Sequence, residues 1–198
     1  MTSFKESIFT IGIDASNIRE GGGFNHLVEL LNAFDPYPAS NTKIIIWGSI
    51  SLISSLKDEE WLQKNTISSL EGNIFQRTFW QIFGLSKAAR RNDCDVLFVP
   101  GGSHYGNFSP VVSMHQNLLP FDFKEAFRFG FSWRSLKFII LRLTQSLTFY
   151  RSKGIIFLSE DSKNTVTKML PGLNSAIKII PHGIEPRFAQ APKTQLSI

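Results

Sequence analysis

The chain has 198 residues, of which 42% are hydrophobic and 19% are charged. This composition indicates a globular protein with one sizeable core and excludes a chain that is disordered throughout. The single cysteine, Cys94, excludes an intramolecular disulfide and a cysteine-rich metal site, and no metal site is predicted. No secretory segment opens the chain, and no apolar run approaches the ~20 residues that span a bilayer. We therefore expect a cytoplasmic protein, either soluble or peripheral on the inner face of the membrane.

The net charge of +5 is concentrated in one segment. Residues 121–153 contain seven basic and two acidic residues, so this segment alone accounts for a net charge of +5. Its basic residues are Lys124, Arg128, Arg134, Lys137, Arg142, Arg151 and Lys153. Because the charge is local, it favours a local anionic partner. Nucleic acid is not expected, since no nucleic-acid-binding motif accompanies the charge.

The first half of the chain predicts alternating strands and helices. Apolar runs indicate strands at residues 8–13 and 43–47, and apolar residues at helical spacing indicate a helix that begins just after Gly21-Gly22-Gly23. Residues 50–72 carry a weaker pattern, which predicts short helical pieces at 52–56 and 59–63. A longer helix is predicted over residues 74–91.

The second half continues the alternation. Strands are predicted at 95–99, 111–114, 155–158 and 177–180, with a turn after the first and helices after the second and the third. Ser159 is the expected N-cap of the helix that follows the third of these strands, and Pro171-Gly172 ends that helix. Strands that alternate with helices predict an α/β fold, which is a single Rossmann-like domain with a parallel sheet flanked by helices.

Ligands of such sheets bind at the carboxyl ends of the strands. Four segments follow predicted strands in this way, namely 21–23, 101–103, 115–117 and 182–183. Three glycines before a helix allow a ligand to approach the backbone, and the helix dipole favours an anion there. The dinucleotide and Walker glycine patterns are both absent, which weakens the hypothesis of a nicotinamide-dependent oxidoreductase. A plain surface loop remains the alternative interpretation of the three glycines. For His115, the alternative to a catalytic role is a packed or surface side chain.

The stretch from Ile155 to Phe188 carries a more specific pattern. A strand is followed by Ser159-Glu160-Asp161-Ser162-Lys163 and later by the sequence KIIPHGIEPRF, which begins at Lys178. This order resembles the end of the N-terminal domain of GT4-type retaining glycosyltransferases, which have the GT-B fold. The segment Asp14-Ala15-Ser16-Asn17-Ile18-Arg19 with its glycines resembles the first loop of those enzymes. The segment MHQNLLPFD, which begins at Met114, is similar to a His-Asn-x-x-Pro-Phe element of one branch.

The resemblance implies site residues at the carboxyl edge of the sheet. It implies that Gly22 and Gly23 lie near the donor diphosphate and the acceptor, with Arg19 as an anion contact. His115 is the implied catalytic residue and orients the donor sugar, while Asn117 supports the turn. Asn117 and His182 are also counted with the donor- and acceptor-binding residues, and His182 belongs to the turn that faces the domain interface. Asp14 and Asp122 are the best-placed carboxylates, although Asp122 is better read as a helix N-cap.

The implied domain division is a GT-B N-terminal domain at residues 1–188, followed by the start of an interdomain linker at 189–198. The implied function is transfer of a sugar from a nucleotide-diphosphate sugar to a glycan or lipid-linked acceptor in cell-surface polysaccharide synthesis. No cofactor is expected, because the nucleotide sugar is the donor substrate. A C-terminal GT-B domain, in cis or in trans, is the implied partner. The alternative is a non-catalytic remnant or split subunit that binds acceptor or membrane.

Two interpretations apply to the basic segment. The residues Trp133, Leu136, Ile140, Leu143, Leu147 and Tyr150 form a stripe that predicts the buried side of a core helix over 133–150. Aromatic and basic residues at 121–134 predict instead a contact with an anionic membrane surface. The expected membrane-contacting residues are Lys124, Phe127, Arg128, Phe131 and Arg134.

Overall fold

A computed structural model describes residues 8–36, 41–122, 128, 130 and 132–183. In this part of the chain, seven parallel strands form one sheet in the order β3-β2-β1-β4-β5-β6-β7. The strands are Phe9–Ala15, Thr42–Gly48, Leu62–Asn65, Val96–Val99, Val111–His115, Gly154–Phe157 and Ala176–Ile179. The predicted α/β class and parallel sheet are therefore confirmed, and the domain is Rossmann-like.

Helices cover both faces of this sheet. The α-helices, here α1 to α7, are Gly21–Asn32, Ile50–Ser54, Ser68–Glu71, Ile74–Phe79, Leu85–Arg91, Trp133–Arg151 and Glu160–Met169. A π-turn at Trp80–Gly84 joins α4 to α5, and a short 3₁₀ turn spans Leu119–Phe121. The expected cap of α7 is confirmed, because the Ser159 hydroxyl accepts the backbone N–H of Ser162 at 3.1 Å.

The core divides into layers on the two sides of the sheet. On one side, α1 and α2 pack Leu27, Leu31 and Leu52 against β1 and β2. On the other side, Leu85 and Ala89 of α5 pack against strands β2, β4 and β5. A third cluster joins α6 and α7 to β6 through buried aromatic and aliphatic side chains. They are Phe121, Phe149, Ile155, Phe157, Val166 and Leu170.

Two local predictions were wrong. Residues 59–63 were expected to be helical, but Leu62–Asn65 form the edge strand β3, which pairs in parallel with Ile44–Trp47. The tertiary pairing overrides a weak local preference there. The three glycines were expected just before a helix, but they form its first turn. Gly21 has a φ of 77°, which a residue with a side chain rarely adopts.

The prediction of a core-facing stripe on helix 133–150 was also wrong. The helix is present as α6, but its buried residues are Ser135, Gln145, Thr148 and Phe149. The predicted stripe faces away from the sheet, and its members from Trp133 to Tyr150 are among the exposed large hydrophobic residues. The inner side of the helix is polar because it forms hydrogen bonds to a neighbouring loop. The Thr148 hydroxyl accepts the N–H of His104 at 2.9 Å.

Phe149 offers a test of this orientation. Its side chain is fully buried and stacks on Phe121 with ring centroids 6.1 Å apart. Truncation to alanine leaves a cavity, so Phe149→Ala should lower the free energy of unfolding by about 3–5 kcal/mol. The matched control is Phe79→Ala, whose ring is 65% exposed and which should change stability by less than ~0.5 kcal/mol. Urea denaturation measures both, and equal effects would contradict the described orientation of α6.

Candidate functional site

The carboxyl end of β1 is held by a buried polar network around Asp14. One carboxylate oxygen accepts the Ser16 hydroxyl at 2.6 Å and the Ser16 N–H at 3.1 Å. The other accepts the Gln81 amide Nε2 at 2.6 Å, and the Gln81 Oε1 accepts the Asn17 amide at 3.0 Å. Asp14 and Gln81 are both almost fully buried. The network therefore fixes the loop from Asp14 to the glycine turn.

Gln81 reaches this loop from a widened turn of helix. It lies in the π-turn at Trp80–Gly84, and π-turns inside α-helices often occur at functional sites. Gly84 makes this turn feasible, because a Cβ there would lie about 2.0 Å from the Trp80 ring. The sequence showed only a helix weakened by Gly84, so neither the π-turn nor the role of Gln81 was predicted.

The glycine turn opens α1 without a side-chain cap. Glu20 stands at the N-cap position, and among the described residues its side chain makes no capping hydrogen bond; the first turn also contains no acidic residue. The first backbone N–H groups of a helix have no intrahelical acceptor, and the dipole makes this end positive. The turn therefore has backbone donors that suit an anionic ligand.

Gln116, which follows β5, lies against this turn. A Cβ on Gly23 would be 3.0 Å from the Gln116 Oε1, so the side chain approaches closely because residue 23 is a glycine. The Gln116 Nε2 is buried and has no hydrogen-bond partner within the described part of the chain. The sequence motif pointed to its neighbours, His115 and Asn117, and did not identify Gln116 as a site residue.

A histidine pair lies beside the same helix. The Nδ1 atoms of His26 in α1 and His182 after β7 are 2.9 Å apart, and the rings meet edge to face. Burial and the neighbouring His182 lower the pKa of His26, so the pair favours a neutral His26. The predicted His182 turn is thus brought to the helix that begins at the glycines. His26 itself was not predicted as part of a site.

Arg19 lies near the site but is engaged with backbone. Its Nη2 donates to the carbonyl oxygens of Leu70 and, at 3.4 Å, Gly72. Burial, and to a smaller extent the positive charge of the nearby Arg19, lower the pKa of Arg77. Arg19 therefore anchors the α3–α4 connection in this arrangement, and its contact with a ligand anion remains a prediction.

His115 ends β5 inside an aromatic cluster. Its ring is 1% exposed and lies 5.4–5.9 Å from the rings of Phe121, Phe149 and Phe157. Neither ring nitrogen has a hydrogen-bond partner among the described residues. Burial lowers the pKa of His115 to about 4. Its catalytic role remains a prediction, and contact with a sugar would require the cluster to open.

The neighbouring polar residues have local roles. The Asn117 Oδ1 accepts the N–H of Leu119 at 3.1 Å, which supports the turn as expected. His104, after β4, is buried, and its burial lowers its pKa, although Asp14 acts in the opposite direction. A cavity beside His104 is also lined by Thr148, Arg151 and residues 106–109. The lining also includes Val111, the first residue of β5, and Ser152, just after α6.

The membrane-contact predictions are only partly covered by the structure. Lys124, Phe127 and Phe131 lie outside the described residues, as does the helix that Asp122 was expected to cap. Arg128 and Arg134 are exposed. No helix in the described ranges is long and apolar enough to cross a bilayer. The same ranges contain no group of three or more metal-ligating side chains.

Together these features define a Rossmann-like α/β domain with an uncapped glycine turn at the carboxyl edge of its sheet. A scan against protein-family models matches no family. A search among curated proteins finds no match. The likeness to GT4-type glycosyltransferases therefore depends on the sequence motifs given above.

The burial of His115 predicts a pH dependence of stability. The unfolded chain binds the proton with an ordinary pKa of about 6.5, whereas the folded pKa is about 4. Between these values the unfolded state binds more protons, so stability falls as the pH drops. The loss should reach about 3 kcal/mol, since each pKa unit corresponds to about 1.4 kcal/mol.

Comparison of the wild type with His115→Leu isolates this contribution. His104 contributes in the same direction in both proteins, so the difference between their pH profiles reports on His115 alone. Urea denaturation from pH 7 to pH 4 should give a shallower slope for the variant. Parallel profiles would contradict a neutral, buried His115.

Proposed function

We propose that this domain is the N-terminal half of a glycosyltransferase of the GT4 type. In this proposal the enzyme transfers a sugar from a nucleotide-diphosphate sugar to a glycan or lipid-linked acceptor in the synthesis of a cell-surface polysaccharide. A second Rossmann-like domain, in the same chain or in a partner, would supply most of the nucleotide site. The motifs at Asp14–Gly23, His115–Asp122 and Ile155–Phe188 support this assignment by resemblance.

The observation that carries the proposal is the convergence of three post-strand segments on the start of α1. Gln116 after β5 lies against Gly23, and His182 after β7 contacts His26 on the same helix. The loop after β1 leads directly into the glycine turn and is fixed by Asp14. Ligands of parallel α/β sheets bind at this edge.

The chemistry of this edge suits a phosphorylated sugar. The backbone N–H groups of the glycine turn would donate hydrogen bonds to the oxygens of a phosphate or diphosphate, and the helix dipole would stabilise its charge. The unpartnered Nε2 of Gln116 would donate to a sugar hydroxyl or a phosphate oxygen. These residues would bind and orient the substrate. The His26–His182 pair would border the side that faces the second domain.

Binding and turnover by the purified chain test the proposal. Isothermal titration with UDP-, GDP- and ADP-linked sugars, and with polyprenyl phosphate in detergent, should show weak binding of at least one phosphorylated compound. Sugar transfer should require a second domain added in trans or fused to the chain. Binding without transfer under all of these conditions would favour the alternative, a non-catalytic acceptor-binding module. Tight NAD binding would favour an oxidoreductase instead.

Gly22→Ala separates a ligand-binding role from a structural one. Gly22 does not have a positive φ, and an added Cβ would meet nothing within 4 Å. The substitution should therefore stabilise the fold by about 0.5 kcal/mol, because it restricts the unfolded chain. It should also weaken phosphate-ligand binding at least about five-fold, since the new methyl group blocks close approach to the backbone.

Gly23→Ala is the matched comparison. Its Cβ would crowd Gln116 at 3.0 Å, so it should weaken binding without raising stability. Thermal unfolding and titration calorimetry measure both quantities. Unchanged affinity in both variants would exclude the glycine turn as the phosphate site.

A further inference from the structure

The outward face of α6 is an apolar surface of unusual extent. Six large side chains along the helix, here called the α6 stripe, point away from the sheet. They are Trp133 (79% exposed), Leu136 (45%), Ile140 (52%), Leu143 (59%), Leu147 (56%) and Tyr150 (48%). Scattered exposed hydrophobic residues are normal on a protein surface, whereas a contiguous patch marks a contact site.

The orientation of α6 is fixed by its polar inner side. At about 100° per residue, the stripe lies roughly opposite the buried Ser135, Gln145 and Thr148. Thr148 exchanges hydrogen bonds with the N–H and carbonyl of His104 at 2.9 and 3.3 Å. Rotating the helix to bury the stripe would break these bonds and expose Phe149. The stripe therefore stays outside in the folded domain.

The charges carried by α6 have one sign. The 19 residues of α6 include Arg134, Lys137, Arg142 and Arg151 and no acidic residue. Lys137 and Arg151 lie along one flank of the stripe, and Lys153 follows just after the helix. An apolar strip bordered by cations is typical of a helix that lies in the interface of an anionic bilayer.

A second apolar strip lies on the same side of the sheet. Phe75, Phe79 and Phe83 are 80%, 65% and 54% exposed on α4 and the π-turn. This helical segment continues into α5, which packs against Val111, while α6 packs against His115 through Phe149. Val111 and His115 are four residues apart on β5 and point to the same face. The two helical segments therefore cover one face of the sheet, with both apolar strips directed outward.

We infer that this face docks on a membrane that contains anionic lipid, with α6 lying in the plane of the interface. The α6 stripe would enter the headgroup boundary while Lys137 and Arg151 contact lipid phosphates. A second copy of the chain is a poorer occupant, because two copies meeting through this face would bring like charges together. The inference does not depend on the sugar-transfer proposal.

The docking also gives the sheet a defined orientation. Helix α6 connects the carboxyl end of β5 to the amino end of β6, so Trp133 lies toward the edge that carries the glycine turn and Gln116. With α6 in the plane of the interface, the strands would lie roughly parallel to the membrane, and Trp133 would mark the end of the docked face that adjoins the carboxyl edge.

Vesicle binding by the full chain tests the inference. Wild-type protein should cosediment with vesicles of phosphatidylcholine and phosphatidylglycerol, and much less with phosphatidylcholine alone. Binding should weaken as salt rises, because ions screen the lipid charge. The Trp133 emission should shift to the blue on binding, and Trp133→Phe should remove most of that shift.

Two variants separate the apolar and the charged contributions. Leu143→Glu with Leu147→Glu, and separately Lys137→Glu with Arg151→Glu, should each lower the vesicle partition coefficient at least about ten-fold. All four side chains are exposed, so the midpoints of unfolding should match the wild type. The charge-matched control is Lys57→Glu with Lys178→Glu, two exposed lysines away from α6, which should retain most of the binding.

Other outcomes would overturn the inference. Equal loss of binding in the control would show non-specific attraction between a basic protein and anionic vesicles. If the wild type is a dimer by sedimentation velocity, and the Leu143→Glu, Leu147→Glu variant is a monomer with unchanged vesicle binding, then a second copy covers the stripe. A wild type that fails to bind anionic vesicles at low salt would also exclude the membrane as the occupant.

Discussion

The arrangement of the carboxyl edge depends on one buried carboxylate. Asp14 lies at the carboxyl end of β1, and within the described part of the chain its hydrogen bonds come from Ser16 and Gln81, neither of which is cationic. A buried carboxylate is destabilising unless its oxygens accept hydrogen bonds. The loop after β1 and the π-turn that carries Gln81 must therefore both take the positions that supply these hydrogen bonds. Through Gln81 and Asn17, a single residue thus joins the glycine turn to the helix that covers the sheet.

A second constraint acts at β5, two strands away from β1 along the same edge of the sheet. His115 occupies a site lined by phenylalanine rings, where only the neutral imidazole is readily accommodated. The same rings anchor α6 through Phe149, and α6 in turn uses Thr148 to hold the loop at His104. Packing on the inside and hydrogen bonding at the helix face therefore cooperate to leave an apolar surface outside. Stability of the domain and exposure of that surface have a common cause.

The strands and the fold class could be predicted because buried parallel strands appear as short apolar runs between turn residues, as at residues 43–47 and 155–158. The edge strand Leu62–Asn65 could not, because only one of its residues is buried and its pairing partner is remote in the sequence. Periodicity found α6 correctly but assigned its faces the wrong way round. Helical periodicity shows which side chains share one face of a helix, but it does not show whether the protein core or something outside the domain covers that face.

The site was predictable to a similar extent. The order of strands and glycines indicated the carboxyl edge as the candidate site, and it led to Gly23, which lies in the first turn of α1, and to His182, which contacts the same helix. Gln116, His26 and Gln81 were missed because each depends on a contact across more than 60 residues of sequence, or on a side chain that fits only because glycine lies opposite. Such contacts leave no local pattern in the chain.

The π-turn at Trp80–Gly84 has a geometric consequence for the whole helical segment. In a regular α-helix, four residues turn by about 400°, so side chains repeated every fourth residue drift around the axis by about 40° at each step. The wider π-turn rotates less per residue and takes back part of this drift. Gln81, Leu85 and Ala89 can therefore form one straight inner row, while Phe75, Phe79 and Phe83 form another row outside. Removing one residue from the turn would rotate the residues before it relative to those after it, so neither row would stay straight. Gln81 would then move away from the end of β1.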